Sequence, residues 1–363
     1  MSTPPTRRTH TAVHSREAAL NLRQAAALKN QFTLSALHLY AQLIAGFAFM
    51  LYRHVSTPGY MSVMLLFLPL WAGYALSCHL RRKCGLMEKR CGRFAKGLLS
   101  LCLFLDAQMS LYAFTEIVRE LLPDYNSALI SLVSLLCVLP SLRNQNAHAL
   151  PTLSHFLRWP MAVGFSFCML GAARQGETGH LFPLFGSGGM KIFSGAWWLC
   201  SCLSAALTPL YAHSSAATRS QERKNLRSLL LGLFAAAATA LLSAWLIPYY
   251  FLARPDTVGS HLMITLRINP SLLSWSCQVC LMLMLLLISL ACALSRSRYL
   301  LSHALGRPVS GWAGLILVPL PALSTDLAHQ LVTLLSPLRT LLMVLALLLL
   351  SITGKNIKEE NAA

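Results

Sequence analysis

The sequence predicts an all-α, polytopic membrane protein of about ten transmembrane helices, and three observations carry that prediction. Of its 363 residues 55% are apolar and only 12% are charged, about half the charged share of a soluble domain. The mean hydropathy is +0.56. Apolar runs of about 18 residues or more recur from end to end, the length a helix needs to cross ~30 Å of hydrocarbon. Backbone polar groups in lipid must bond within their own segment, so each run reads as a helix. Barrel strands would alternate in polarity with period two, and these runs do not.

The spans fall at about 31–52, 60–80, 98–118, 126–142, 157–173, 190–211, 228–251, 271–294, 309–325 and 336–353. A polar tail, residues 1–30, precedes a single membrane domain over 31–353, and a short polar tail, 354–363, follows it. Ten helices divide into two halves of five, the arrangement of many transporters with inverted repeats. With both termini cytoplasmic, most of the 30 Lys and Arg fall on the inner side, as the positive-inside rule asks. The net charge of +18 belongs to loops such as RRKCGLMEKRCGRFAKG (81–97). It points to anionic lipids of the inner leaflet of a cell membrane and not to nucleic acid.

Eleven cysteines lie mostly within spans, where Cys acts as a small apolar residue. Cys277 and Cys280 form a CxxC inside an apolar helix with no His or acidic partner nearby, so neither metal nor redox use is expected. No HExxH, paired acidic motif or P-loop occurs. An enzyme, a cofactor and a metal are therefore not expected.

The third span reads LCLFLDAQMSLYAFTEIV (101–118) and places Asp106 within ~3–5 Å of the midplane at 1.5 Å per residue. Cys102, Ser110 and Ala113 share its helical face, while Phe104, Leu105, Leu111 and Phe114 lie off it. Small residues let helices approach closely, so Asp106 should point into the bundle. A carboxylate in low dielectric favours its neutral form until a cation arrives, which suits a ligand amine or a proton. The alternative is a hydrogen bond that only ties it to a neighbouring helix. At matched depth the eighth span carries Gln278, beside Ser274 and Cys277.

The first span repeats the theme, because Ser35, His38, Gln42 and Gly46 step by three and four along one face. Ala45 and Gly46 offer a point where the helix could open and free its backbone for a ligand; close packing is the alternative. In the sixth span Ser201, Cys202, Ser204, Ala205 and Ala206 precede Thr208 and Pro209, and Pro209 should end or kink the helix. The segment before it, LFPLFGSGGM (181–190), suits an outer gate at Pro183, Gly188 and Gly189, or an ordinary loop. Glu116 and Glu120 approach the outer interface, where water should reach them. The expected substrate-binding set is Asp106, Ala45, Gly46, Gln42, His38, Ser110, Ser201, Ser204 and Gln278.

LFPLFGSGGMKIFSGA (181–196), with Pro183, Gly188 and Gly195, resembles the element before the sixth helix in spore germination permeases, the B-subunits of nutrient germinant receptors. TEIVRELLPDYNSALISLVSLL (115–136) resembles the end of their third helix, its Leu-Pro and their fourth helix. The resemblance implies the amino acid–polyamine–organocation transporter fold, with two inverted five-helix repeats of the LeuT-like kind. It implies a place in the inner membrane of a spore, A- and C-type receptor subunits as partners, and a small nutrient ligand such as an amino acid or amine, sensed or moved. The chain departs from the family pattern at three points. Only Ala45–Gly46 remains of a Gly-rich first-helix opening, CSCLSAALTP (200–209) lacks the usual acid, and Thr152 stands where Arg is usual. Either Asp106 is the substitute acid, or the chain is a divergent member that binds something else. Two other readings stay open: a secondary amino-acid or amine transporter of the same fold, and a membrane assembly subunit with no ligand.

Overall fold

A helix that is apolar all round belongs inside a bundle, and α1, Asn30–Leu51, has that character. Every side chain from His38 to Leu51 is buried. The computed structural model describes residues 30–51, 60–83, 93–143, 149–181, 189–207, 219–246, 258–265, 272–310, 330, 334 and 337–349, and every regular element among them is helical. After α1 come α2 (Tyr60–Met64), α3 (Phe67–Lys83), α4 (Arg93–Leu121), α5 (Ser127–Arg143) and α6 (Ala149–Gln175). A 3-10 turn at Thr178–Leu181 is followed by α7 (Gly189–Cys200), a second 3-10 turn at Ser201–Leu203, and α8 (Ser204–Leu207). The remaining helices are α9 (Arg219–Leu246), α10 (Val258–Thr265), α11 (Leu272–Leu305) and α12 (Pro337–Leu349).

Among the described residues six helical stretches are long and apolar enough to cross a membrane: Asn30–Leu51, Tyr60–Leu80, Arg93–Leu121, Gly189–Leu207, Arg219–Leu246 and Ser276–Leu305. They match the first, second, third, sixth, seventh and eighth expected spans. The chain is an all-helical polytopic membrane protein. The fourth and fifth spans appear as α5 and α6, which keep their helix through Pro140 and Pro160. The tenth appears as α12. Nearly all of the ninth lies outside the described residues, as do Pro183, Gly188 and Pro209.

The second span is not one helix but two. Pro69 has no N–H to offer the carbonyl of Leu65, and the chain turns at Leu65–Leu66 before Leu70 N–H bonds the Leu66 carbonyl at 2.9 Å. The longest helix pairing is α4 against α11, and α11 also touches α5 and α6. A buried apolar cluster of Leu80, Leu98, Leu99, Leu103, Leu300 and Leu347 joins the ends of α3, α11 and α12 to the start of α4. That cluster sets α12 alongside the first half of α4 and brings the head of α12 to the middle of α4. Phe156 and Trp159 on α6, with Met190, Phe193 and Trp197 on α7, face outward, where acyl chains would cover them.

Candidate functional site

Asp106 on α4 is fully buried, turned inward by its face as expected, with Cys102, Ser110 and Ala113 buried beside it. The off-face Leu105 and Leu111 are buried too, so they pack against helices and not lipid. Its carboxylate already has a cation. Arg339 Nη1 on α12 stands 2.8 Å from Asp106 Oδ1, and both side chains are out of solvent. The same oxygen accepts the Ser204 hydroxyl at 2.7 Å. Arg339 Nη2 donates to Ser201 Oγ at 2.8 Å and meets Cys202 Sγ at 3.3 Å. Cys102 Sγ approaches the Arg339 carbonyl at 3.7 Å. The pair thus ties α4 and α12 to the place where the sixth span tightens into its 3-10 turn.

A second polar layer lies against it. Gln42 Nε2 on α1 donates to the Asp106 carbonyl at 2.8 Å and to Ser110 Oγ at 2.7 Å, and lies 3.2 Å from Ser289 Oγ of α11. Ser110 and Ser289 share a hydrogen bond of 2.8 Å, and Ser289 Oγ lies 2.8 Å from His38 Nδ1. His38 Nε2 stands 3.9 Å from Asp106 Oδ2. Asp106 Oδ2, His38 Nε2, Gln42 Oε1 and Arg339 Nε are buried without a hydrogen-bond partner. Such groups are costly in a dry interior. Among the described residues no three His, Cys, Asp or Glu side chains come together as a metal-binding group.

Six of the residues expected from sequence meet here: Asp106, His38, Gln42, Ser110, Ser201 and Ser204. Four expectations need correction. The carboxylate was expected to wait for a cation, and Arg339 supplies one at its own depth. The first span does not open at Ala45–Gly46, because α1 runs unbroken through both. A Cβ on Gly46 would lie 2.7 Å from Cys202 Sγ and 3.2 Å from Leu199 Cδ2, so that glycine serves close packing against the sixth span. The sixth span tightens into a 3-10 turn at Ser201–Leu203 and stays helical on both sides of it. Gln278 is not in the cluster. Ser289, eleven residues further along α11 and so ~16 Å away at 1.5 Å per residue, takes that place. Glu116 is not solvated but buried beneath α10, with Arg119 Nη2 3.0 Å from its Oε2. Of the expected gate, only Gly189 is described; it is the exposed first residue of α7.

No protein-family model matches the chain, and no curated protein matches it. Among solved structures it is similar to a crystal structure of a mutant of the manganese transporter of Eremococcus coleocola. The two are 14% identical, the match covers 92% of this chain and 79% of that one, and the TM-score is 0.48.

Two members of the site were not anticipated, Arg339 and Ser289. Arg339 opens the apolar run RTLLMVLALLLL (339–350), where a basic residue ordinarily marks the end of a span. Ser289 did leave a signal: Ser289, Cys292 and Arg296 step by three and four and so share a face of α11.

Proposed function

We propose that this chain is a transporter-like membrane protein that binds a small polar solute at mid-membrane, where α1, α4, α11, α12 and the 3-10 turn of the sixth span converge. The observation that carries the reading is the buried Asp106–Arg339 pair seated on that turn. A buried ion pair stabilises a fold no better than apolar side chains of the same volume. Ionisable groups at this depth most often belong to a substrate or ion route. A 3-10 turn inside an α-helix often marks a functional hinge, and this one receives both members of the pair. Asp106 Oδ2 and His38 Nε2 leave an acceptor and a ring nitrogen for a solute or a proton. Arg339 then acts as a latch, holding α12 to α4 in this conformation and releasing it when the carboxylate finds another partner.

The test is uptake into proteoliposomes of labelled amino acids and amines, with and without an imposed proton gradient. Asp106→Asn and Arg339→Met should each abolish uptake while the purified protein remains monodisperse. Gradient-dependent uptake that survives Asp106→Asn at normal protein levels would make the carboxylate structural.

The germination reading rests on sequence resemblance. In that reading the solute is a germinant, sensed in the spore inner membrane beside A- and C-type subunits. Co-purification with such subunits, and loss of nutrient-triggered germination on deletion, would support it. Co-purification without any solute binding would leave an assembly subunit.

A further inference from the structure

Arg296 lies one turn of α1 further toward the inner end than the cluster just described. Its side chain is 6% exposed. Nη2 donates to Ser35 Oγ at 3.1 Å, while Nη1 is buried with no hydrogen-bond partner. Among the described residues it has no carboxylate partner. Asp106 spends Oδ1 on Arg339, Glu116 lies near the opposite end of α4 with Arg119, and Glu222 begins α9. Ser289, Cys292 and Arg296 line the face of α11 that meets Ser35, His38 and Gln42 of α1. Arg296 and Arg339 both act electrostatically on His38, so this seam holds two guanidinium groups against one carboxylate.

A buried cation without a counter-charge costs several kcal/mol, the order of a whole domain's stability. A guanidinium is also the planar, forked donor that matches a carboxylate. We infer that the α1–α11 seam is an anion subsite, with Arg296 receiving the carboxylate of a small organic acid or amino acid and Ser35 fixing the guanidinium. The inference rests on the solute-binding reading above and adds the chemical class of the solute. A molecule with both a carboxylate and an amine would find an acceptor in Asp106 Oδ2, further up the same seam.

The test is thermal unfolding of the full chain in detergent, with potassium acetate and potassium succinate as probes and methylammonium chloride as control, at constant ionic strength. At least one carboxylate should raise the midpoint saturably, and methylammonium should not. Arg296→Gln should remove that rise, whereas Glu116→Gln, near the opposite end of α4, should keep it. Should Arg296→Gln not fold, Arg296→Lys retains the charge but loses the fork and should weaken the apparent affinity roughly tenfold or more. A rise that persists unchanged in the Arg296 variant, or no rise with either carboxylate, overturns the inference. Failure of transport is read separately: Arg296-dependent stabilisation without uptake in proteoliposomes would keep the subsite and discard the transporter.

Discussion

Two buried carboxylates sit on one helix, ten residues apart, and they live differently. Asp106 draws its partners from three other parts of the chain: Arg339 on α12, Ser204 at the 3-10 turn of the sixth span, and His38 on α1. Glu116 finds its cation in the next turn of its own helix, Arg119 at 3.0 Å and 22% exposed, and beyond that helix it meets the backbone N–H of Gly259 on α10. Both acids are desolvated, so burial alone does not separate them. What separates them is reach. The Glu116 ion pair closes within one helix and leaves a single backbone contact to α10, whereas the Asp106 pair closes across the bundle and fixes the mutual position of elements that could otherwise slide.

The sharpest way to break the comparison is to remove the distant cation. Arg339→Met leaves a carboxylate buried with only a hydroxyl to bond it, and should cost about 3–5 kcal/mol of stability. The double variant Asp106→Leu with Arg339→Met removes both charges and should recover most of that loss, because apolar groups replace a buried pair at little net cost. Denaturant titration of the three proteins in detergent measures both steps. If the double variant is as unstable as the single one, the ion pair is not the element that sets the position of α12.

A smaller effect belongs to the sixth span. Ser204 gives its hydroxyl to Asp106 at 2.7 Å and also lies 2.8 Å from the Ser201 carbonyl. Ser204→Ala deletes one hydrogen bond to a charged acceptor that Arg339 still neutralises, so the expected loss is about 1–2 kcal/mol. The same titration measures it, and a double cycle with Arg339→Met should show coupling, since both groups meet the same oxygen.

The unequal reach of the two acids also explains what the sequence could disclose. The helical class follows from composition and run length, and the inward turn of Asp106 follows from Cys102, Ser110 and Ala113 on its face. His38 and Gln42 were legible by the same stepping rule. Arg339 was not, because its place at the head of an apolar run is where flanking cations ordinarily sit, and its partner is more than two hundred residues away. Gln278 was chosen by matching depth within a span set at 271–294, but α11 continues to Leu305, which moves the true midpoint toward Ser289. Glu116 looked solvated because periodicity within α4 says nothing of α10, which crosses over it. The close approach there shows in Gly259, whose added Cβ would lie 2.6 Å from the Glu116 carbonyl oxygen. Side-chain stepping thus reveals which way a residue faces; it does not reveal what comes to meet it.

The mildest substitution tests the other half of the comparison. Glu116→Gln keeps the size of the side chain and one carbonyl oxygen for the Gly259 N–H, and it removes the ion pair between neighbours three residues apart. Exposed and partly exposed pairs of that spacing are worth a few tenths of a kcal/mol, and the amide also relieves the interior of a charge. The expected change in stability is therefore under about 1 kcal/mol in either direction, with uptake unaffected in proteoliposomes. A loss as large as that of Arg339→Met would mean that Glu116 holds α10 against α4 through its charge, and the distinction between a local and a bundle-wide acid on this helix would fall.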